Sequence, residues 1–168
     1  MNSTIYIAIF ILVFLILFGF SISWFNHHKK KKDHKMLSEK FDDFVIKNQL
    51  AIDKKQEVHQ GMIGIDRLNL KLVFLDNRSI PALFHVTNLE DIATCRLIKQ
   101  KNAINGHISK ISLQYILKNK KEADINIVFY DALHDDIFKM MRLSKEASFW
   151  EKRIHIFQQT AVLSEQNI

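Results

Sequence analysis

Eight histidines, one cysteine and 18 acidic residues are the raw material for any side-chain chemistry in this 168-residue chain. His134-Asp135-Asp136 sets an imidazole beside two carboxylates, the groups that general acid–base or metal chemistry needs. At a loop-to-helix junction the two acids are explained more simply as helix caps, where they meet the positive end of the helix dipole. Cys95, in Ala93-Thr-Cys-Arg-Leu97, would need His85 or His107 as a base to act as a nucleophile. A lone cysteine in an apolar strand reads instead as a small core residue. His27, His28 and His34 invite a metal reading, but nothing close in sequence completes a coordination shell. No phosphate-binding loop, GxGxxG, HExxH, GxSxG or Cys/His zinc spacing occurs. The expectation is no catalytic residue, no metal site and no cofactor.

The strongest signal is architectural. Ile5 to Phe25 is a run of 21 residues without a charge. As a helix it would be about 31 Å long, matching the hydrocarbon core of a bilayer. Trp24 and Phe25 fall where an aromatic belt is expected, and residues 27–35 follow with five lysines and one aspartate. A cleaved signal peptide would carry its positive charge ahead of the apolar run, and Met1 to Thr4 has none. The lysine bias places the short N-terminus outside and the rest of the chain in the cytoplasm. Lys29, Lys30, Lys31, Lys32 and Lys35 are the candidate membrane-surface residues, attracting anionic headgroups nonspecifically at roughly 1 kcal/mol each. Residues 36–168 hold 19 Lys or Arg against 17 Asp or Glu. That near balance argues against nucleic acid as a partner.

The remaining chain reads as elements that would position a site. Ser38 to Leu50 is a short helix with Ser38 as N-cap and Phe41, Phe44 and Val45 on one stripe. Val58–Asp66 and Leu70–Leu75 form a hairpin around Arg67-Leu68-Asn69, and Ile80-Pro81 opens a further strand to about Thr87. Ala93–Lys101 is extended, and Asn105-Gly106 is a turn signal. Ile111, Leu113, Tyr115 and Leu117 alternate with polar neighbours, as do Ile125, Ile127 and Phe129. Finally Ile137, Met140, Met141, Ser144, Ala147, Trp150, Ile154 and Phe157 recur at helical spacing as a core-facing stripe. Phe149 lies off that stripe, and so do Met141 and Leu143 in part, which makes them candidates for an exposed apolar strip.

A strand series from Gly64-Ile65-Asp66 to Ile127-Val128-Phe129-Tyr130-Asp131, followed by one long helix carrying Trp150, is similar to the pleckstrin-homology-like superfold. Together with Asp91-Ile-Ala-Thr-Cys-Arg96 it resembles small uncharacterised bacterial single-pass membrane proteins with such a soluble domain, over residues 58–158. The resemblance implies a binding or scaffold module. Phosphoinositide-binding members use several basic residues around the first hairpin, where this chain offers only Arg67 and Lys71.

The expected fold is α+β: an N-terminal transmembrane helix, then one bent antiparallel sheet forming a partly open barrel or roll, closed by the C-terminal amphipathic helix. The expected organisation is an anchor at 1–26, a basic linker at 27–37, a short helix at 38–50, the α+β domain at 51–160 and a tail at 161–168. The expected function is a protein-interaction or scaffold module at the inner face of the plasma membrane. Its partners would be the bilayer through residues 5–25, anionic headgroups through the lysines, and a protein partner or a second copy. The alternative is a membrane-surface enzyme using His85, Cys95, His107 or His134.

Overall fold

The computed structural model describes Phe14, Leu17, Phe18 and residues 32–59, 61–104, 106–119 and 124–165, the side chains of 161–165 excepted. The chain divides into two compact units, Met1–Lys40 and Phe41–Ile168. In the first, Phe14, Leu17 and Phe18 are helical with exposed side chains, and residues 32–40 are helical. Ser38 is therefore interior to a helix and not its cap. The expected transmembrane helix is not among the described residues. No helix of those residues is long and apolar enough to cross a membrane, and the rest of Ile5 to Phe25 lies outside them.

The second unit opens with helical residues 41–47 (α1) and then forms two antiparallel sheets. The first sheet is a four-stranded meander of β1 (Ile52–Val58), β2 (Gly61–Asp66), β3 (Lys71–Asp76) and β4 (Leu83–Asn88). A 3-10 turn at Leu89–Asp91 leads into the second sheet, β5 (Ile92–Lys101), β6 (Ile108–Leu117) and β7 (Ile125–Asp131). The chain ends in α2 (Ile137–Glu165). This corrects the expectation of a single bent sheet. Among the described residues the strands divide into separate sheets of four and three, and no barrel closes.

The break between the sheets has a local cause. Leu89 is fully buried and its N–H donates to the Leu70 carbonyl at 2.8 Å, so the chain turns inward where β4 ends instead of running on. Two strands also differ from the sequence reading. The segment from Ile52 to Glu57 carries four charges and shows little apolar alternation, yet it pairs with β2 as an edge strand. The residues of Ile80-Pro81 precede β4, which begins at Leu83.

The meander is covered on both faces, and this is why β2 and most of β3 are buried throughout. Ile63, Ile65, Leu72 and Phe74 point inward to a core shared with Ile111, Leu113, Tyr115, Ile127 and Phe129 of the second sheet and with Ala147, Trp150 and Ile154 of α2. The alternate residues Met62, Gly64, Val73 and Leu75 face the other way. There Phe41 of α1, fully buried, lies against Gly64, and the Phe44 ring stacks on Phe84 at 3.8 Å. Lys55 on the same face pairs with Asp42 at 2.6 Å.

Asp66 closes the β2–β3 hairpin, accepting from Asn69 Nδ2 at 2.7 Å and from the backbone N–H groups of Asn69 and Ala51 at 2.9 Å. Burial by itself raises its carboxyl, but these bonds and one from the Leu68 backbone prevail and hold it below the ordinary carboxylate range.

Two predictions follow from the close packing and from this carboxylate. A Cβ at Gly64 would approach Phe41 Cζ to 2.7 Å, whereas at Gly61 it would collide with the Leu75 carbonyl oxygen. Gly64→Ala is expected to cost about 1–3 kcal/mol in chemical denaturation and to be relieved by Phe41→Leu. Gly61→Ala costs more and gains nothing from the same second change, because a paired backbone cannot give way. The lowered Asp66 pKa stabilises the fold above about pH 4, and that contribution is lost as pH falls through the folded-state value. Asp66→Asn is expected to be less stable at pH 7 and to show a shallower acid limb. An unchanged acid limb would remove the role assigned to this carboxylate.

Candidate functional site

The four residues of the enzyme alternative lie on four different elements. His85 is on β4, opposite Phe74, with the rings stacked at 6.0 Å. Cys95 is on β5, buried opposite Tyr115. His107 follows the β5–β6 turn, where its carbonyl accepts from Asn102 N–H and Gly106 takes a positive φ of 68°. His134 is on the loop between β7 and α2. Of the surface lysines, Lys32 and Lys35 are helical and exposed, with Lys35 3.7 Å from Glu39, while Lys29, Lys30 and Lys31 lie outside the described residues. His27 and His28 lie outside them as well.

What the fold does bring together is His134 and a histidine absent from the sequence-based candidates, His59. It sits on the tight β1–β2 connection, which the sequence reading had merged into one continuous strand from Val58 to Asp66. The His59 backbone N–H donates to the Val128 carbonyl at 3.0 Å, stitching the edge of the first sheet to β7 of the second. The β7–α2 loop then folds back over this seam. His134 and Asp135 N–H groups both donate to the Asp131 carbonyl, and Leu133 N–H donates to Asp131 Oδ1.

The two acids of His134-Asp135-Asp136 have separate tasks. Asp136 caps α2, accepting from Phe138 N–H at 3.0 Å through its side chain, as the sequence reading expects of one of them. Asp135 is diverted. Its Oδ2 accepts from Asp131 N–H and lies 3.0 Å from His59 Nδ1, so a carboxylate orients that imidazole from behind. The His59 and His134 rings meet edge to face at 5.3 Å. One ligand atom each from His59, Asp131 and His134 then falls within 4.8 Å of the others. His59 and Asp131 also line a cavity of about 110 Å³ whose other walls include Arg78 and Lys110. The signal was partly legible in the His-Asp-Asp triplet, but its other half lies 75 residues away.

A second feature is the solvent face of α2. Ala147, Trp150 and Ile154 are fully buried, as the stripe predicted, and Met140 and Phe157 pack beside them. Ile137, read as part of that stripe, is 60% exposed; of the two residues read as partly off it, Met141 is 68% exposed and Leu143 packs against the core. Its outer side carries Phe138, Met141, Lys145, Phe149, Lys152 and Ile156 at three- and four-residue spacing, all exposed. Lys54 of β1 sits over the Phe149 ring at 4.1 Å.

No family model, curated protein or solved structure matches the chain. Function is accordingly argued from these two features and their chemistry.

Cys95 yields a direct test. Burial, with the Glu151 carboxylate adding to it, pushes the thiol up to about 12 from an ordinary value of 9.0. The thiol is therefore inert when folded, and a thiol reagent at pH 8 is expected to modify it only after denaturation. Since the folded-state value is the higher one, its contribution to stability is complete below pH 9 and is lost as pH rises towards 12. Rapid stoichiometric labelling of the native protein would overturn this assignment and reopen a nucleophilic role.

Proposed function

We propose that the chain is a protein-interaction module held at the inner leaflet, with the outer face of α2 as its docking surface. The observation that carries this is the ridge of Phe138, Met141, Phe149 and Ile156, exposed by 89%, 68%, 40% and 59%. Large apolar side chains lined up on one surface and left in water are the usual mark of a surface that is covered in use. The other side of α2 is fully committed to the core, so the helix can be held rigid while it presents the ridge.

Charge selects among occupants. Lys145 and Lys152 interrupt the ridge, and Lys139 and Arg142 are exposed beside it. The acidic residues along the same stretch are engaged elsewhere: Glu146 with Gln56 and Arg142, Glu151 with the Leu97 N–H. Two copies joined through this face would set lysines against lysines. The complementary partner is a segment whose apolar stripe is bordered by Asp or Glu.

The attachment to the membrane rests on the uncharged run Ile5 to Phe25 and the lysines that follow it. A tether confines the module to a layer near the surface, so a modest affinity is enough to hold a complex together.

A photoreactive residue at position 141 of the full-length chain in its native membrane is expected to give a discrete protein adduct. That adduct disappears with Phe138→Asp and does not form from position 99 on β5. Crosslinks from position 141 to lipid alone, to a second copy alone, or to nothing, would defeat the proposal.

A further inference from the structure

We infer that His59, Asp131 and His134 form a binding site for a late first-row divalent transition metal, with Zn²⁺ as the natural candidate. Three observations meet there. The ligand atoms lie within 4.8 Å of one another, close enough for small side-chain rotations to bring them onto one ion. They come from two segments, the β1–β2 turn and the end of β7 with its loop, which are fixed to each other by the His59 N–H to Val128 carbonyl bond. The His59 ring is already oriented by Asp135 Oδ2 at its Nδ1, and Asp135 is itself held by the Asp131 N–H. A carboxylate behind a ligating imidazole is the outer-shell arrangement that fixes the ring and raises its basicity towards a metal.

The donor set selects the ion. Two imidazoles and one carboxylate suit Zn²⁺, Co²⁺ or Fe²⁺, whereas Ca²⁺ and Mg²⁺ require a shell of oxygens. Three protein ligands leave a tetrahedral ion one position short, as in sites that admit water or a small ligand. This site does not depend on the α2 docking face.

The test uses the full-length chain in detergent, free of any histidine tag, with His27, His28 and His34 replaced by alanine to remove the tract near the anchor. Titration with Zn²⁺ is expected to give one equivalent bound, and Co²⁺ to give visible ligand-field bands. His134→Ala changes an exposed side chain and leaves the His59–Asp135 contact in place, so the fold is retained and affinity falls by at least tenfold. Asp135→Asn, which removes the charge behind His59 and keeps an acceptor for the Asp131 N–H, weakens binding by about 10–100-fold, while His107→Ala leaves it unchanged. Less than stoichiometric binding in this background overturns the inference. So does stoichiometric binding that survives both His134→Ala and Asp131→Asn.

Discussion

The indole of Trp150 is fully buried on α2 and gives its N–H to Gln56 Oε1, on the inner face of β1, at 2.7 Å. Around it α2 is fastened to both sheets at once. On the first sheet Gln56 Nε2 reaches Glu146 at 2.5 Å, Lys54 covers Phe149, and Arg153 pairs with Asp53. On the second, Glu151 accepts from the Leu97 N–H at 2.6 Å and Gln158 donates to the Ile92 carbonyl at 2.8 Å. Both β1 and β5 are edge strands of their sheets. The helix therefore both buries the apolar faces and engages polar groups along the edges where two separate sheets would otherwise stand open. One sheet bent on itself would not need this strap; two do.

The same geometry frees the outer side of α2. A helix spanning two sheets is fixed by residues at 147, 150 and 154, and polar groups at 146, 151, 153 and 158 hold it from the flanks. Phe138, Met141 and Ile156 contribute nothing to that attachment. Their exposure has no structural explanation within the folded unit, which is what makes a partner the natural reading. Phe149 is the intermediate case, half covered by Lys54 and still accessible.

Strand identity was legible where alternation was clean, in β6 and β7, and where turn chemistry was strong, at Arg67-Leu68-Asn69 and Asn105-Gly106. Sheet membership was not legible. Alternation says which side of a strand is buried but not which edge pairs with which, and the division of the strands hinges on the inward turn at Leu89. The strand β1 was missed because an edge strand facing charged partners has no apolar pattern to show. Its turn was missed because His59 precedes Gly61 without a familiar turn pair. The residues of the candidate metal site illustrate both limits: His134 stands in a visible triplet, Asp131 at the end of a strand, and His59 within an apparently continuous strand. Cys95, by contrast, is the buried core residue that a lone cysteine in a strand suggests.

Long separation along the chain has a further consequence for how the molecule is made. The bonds of β1 to α2 join residues 90, 94 and 100 positions apart. At a synthesis rate of about 5–20 residues per second, β1 emerges roughly 5–20 s before the residues that complete its inner face. During that interval β1 to β4 can pair locally through their hairpins, but Gln56 and the apolar side chains beside it have no cover. The helix that follows all seven strands is thus the element that ends the exposure. Until then the nascent first sheet is a half-finished surface.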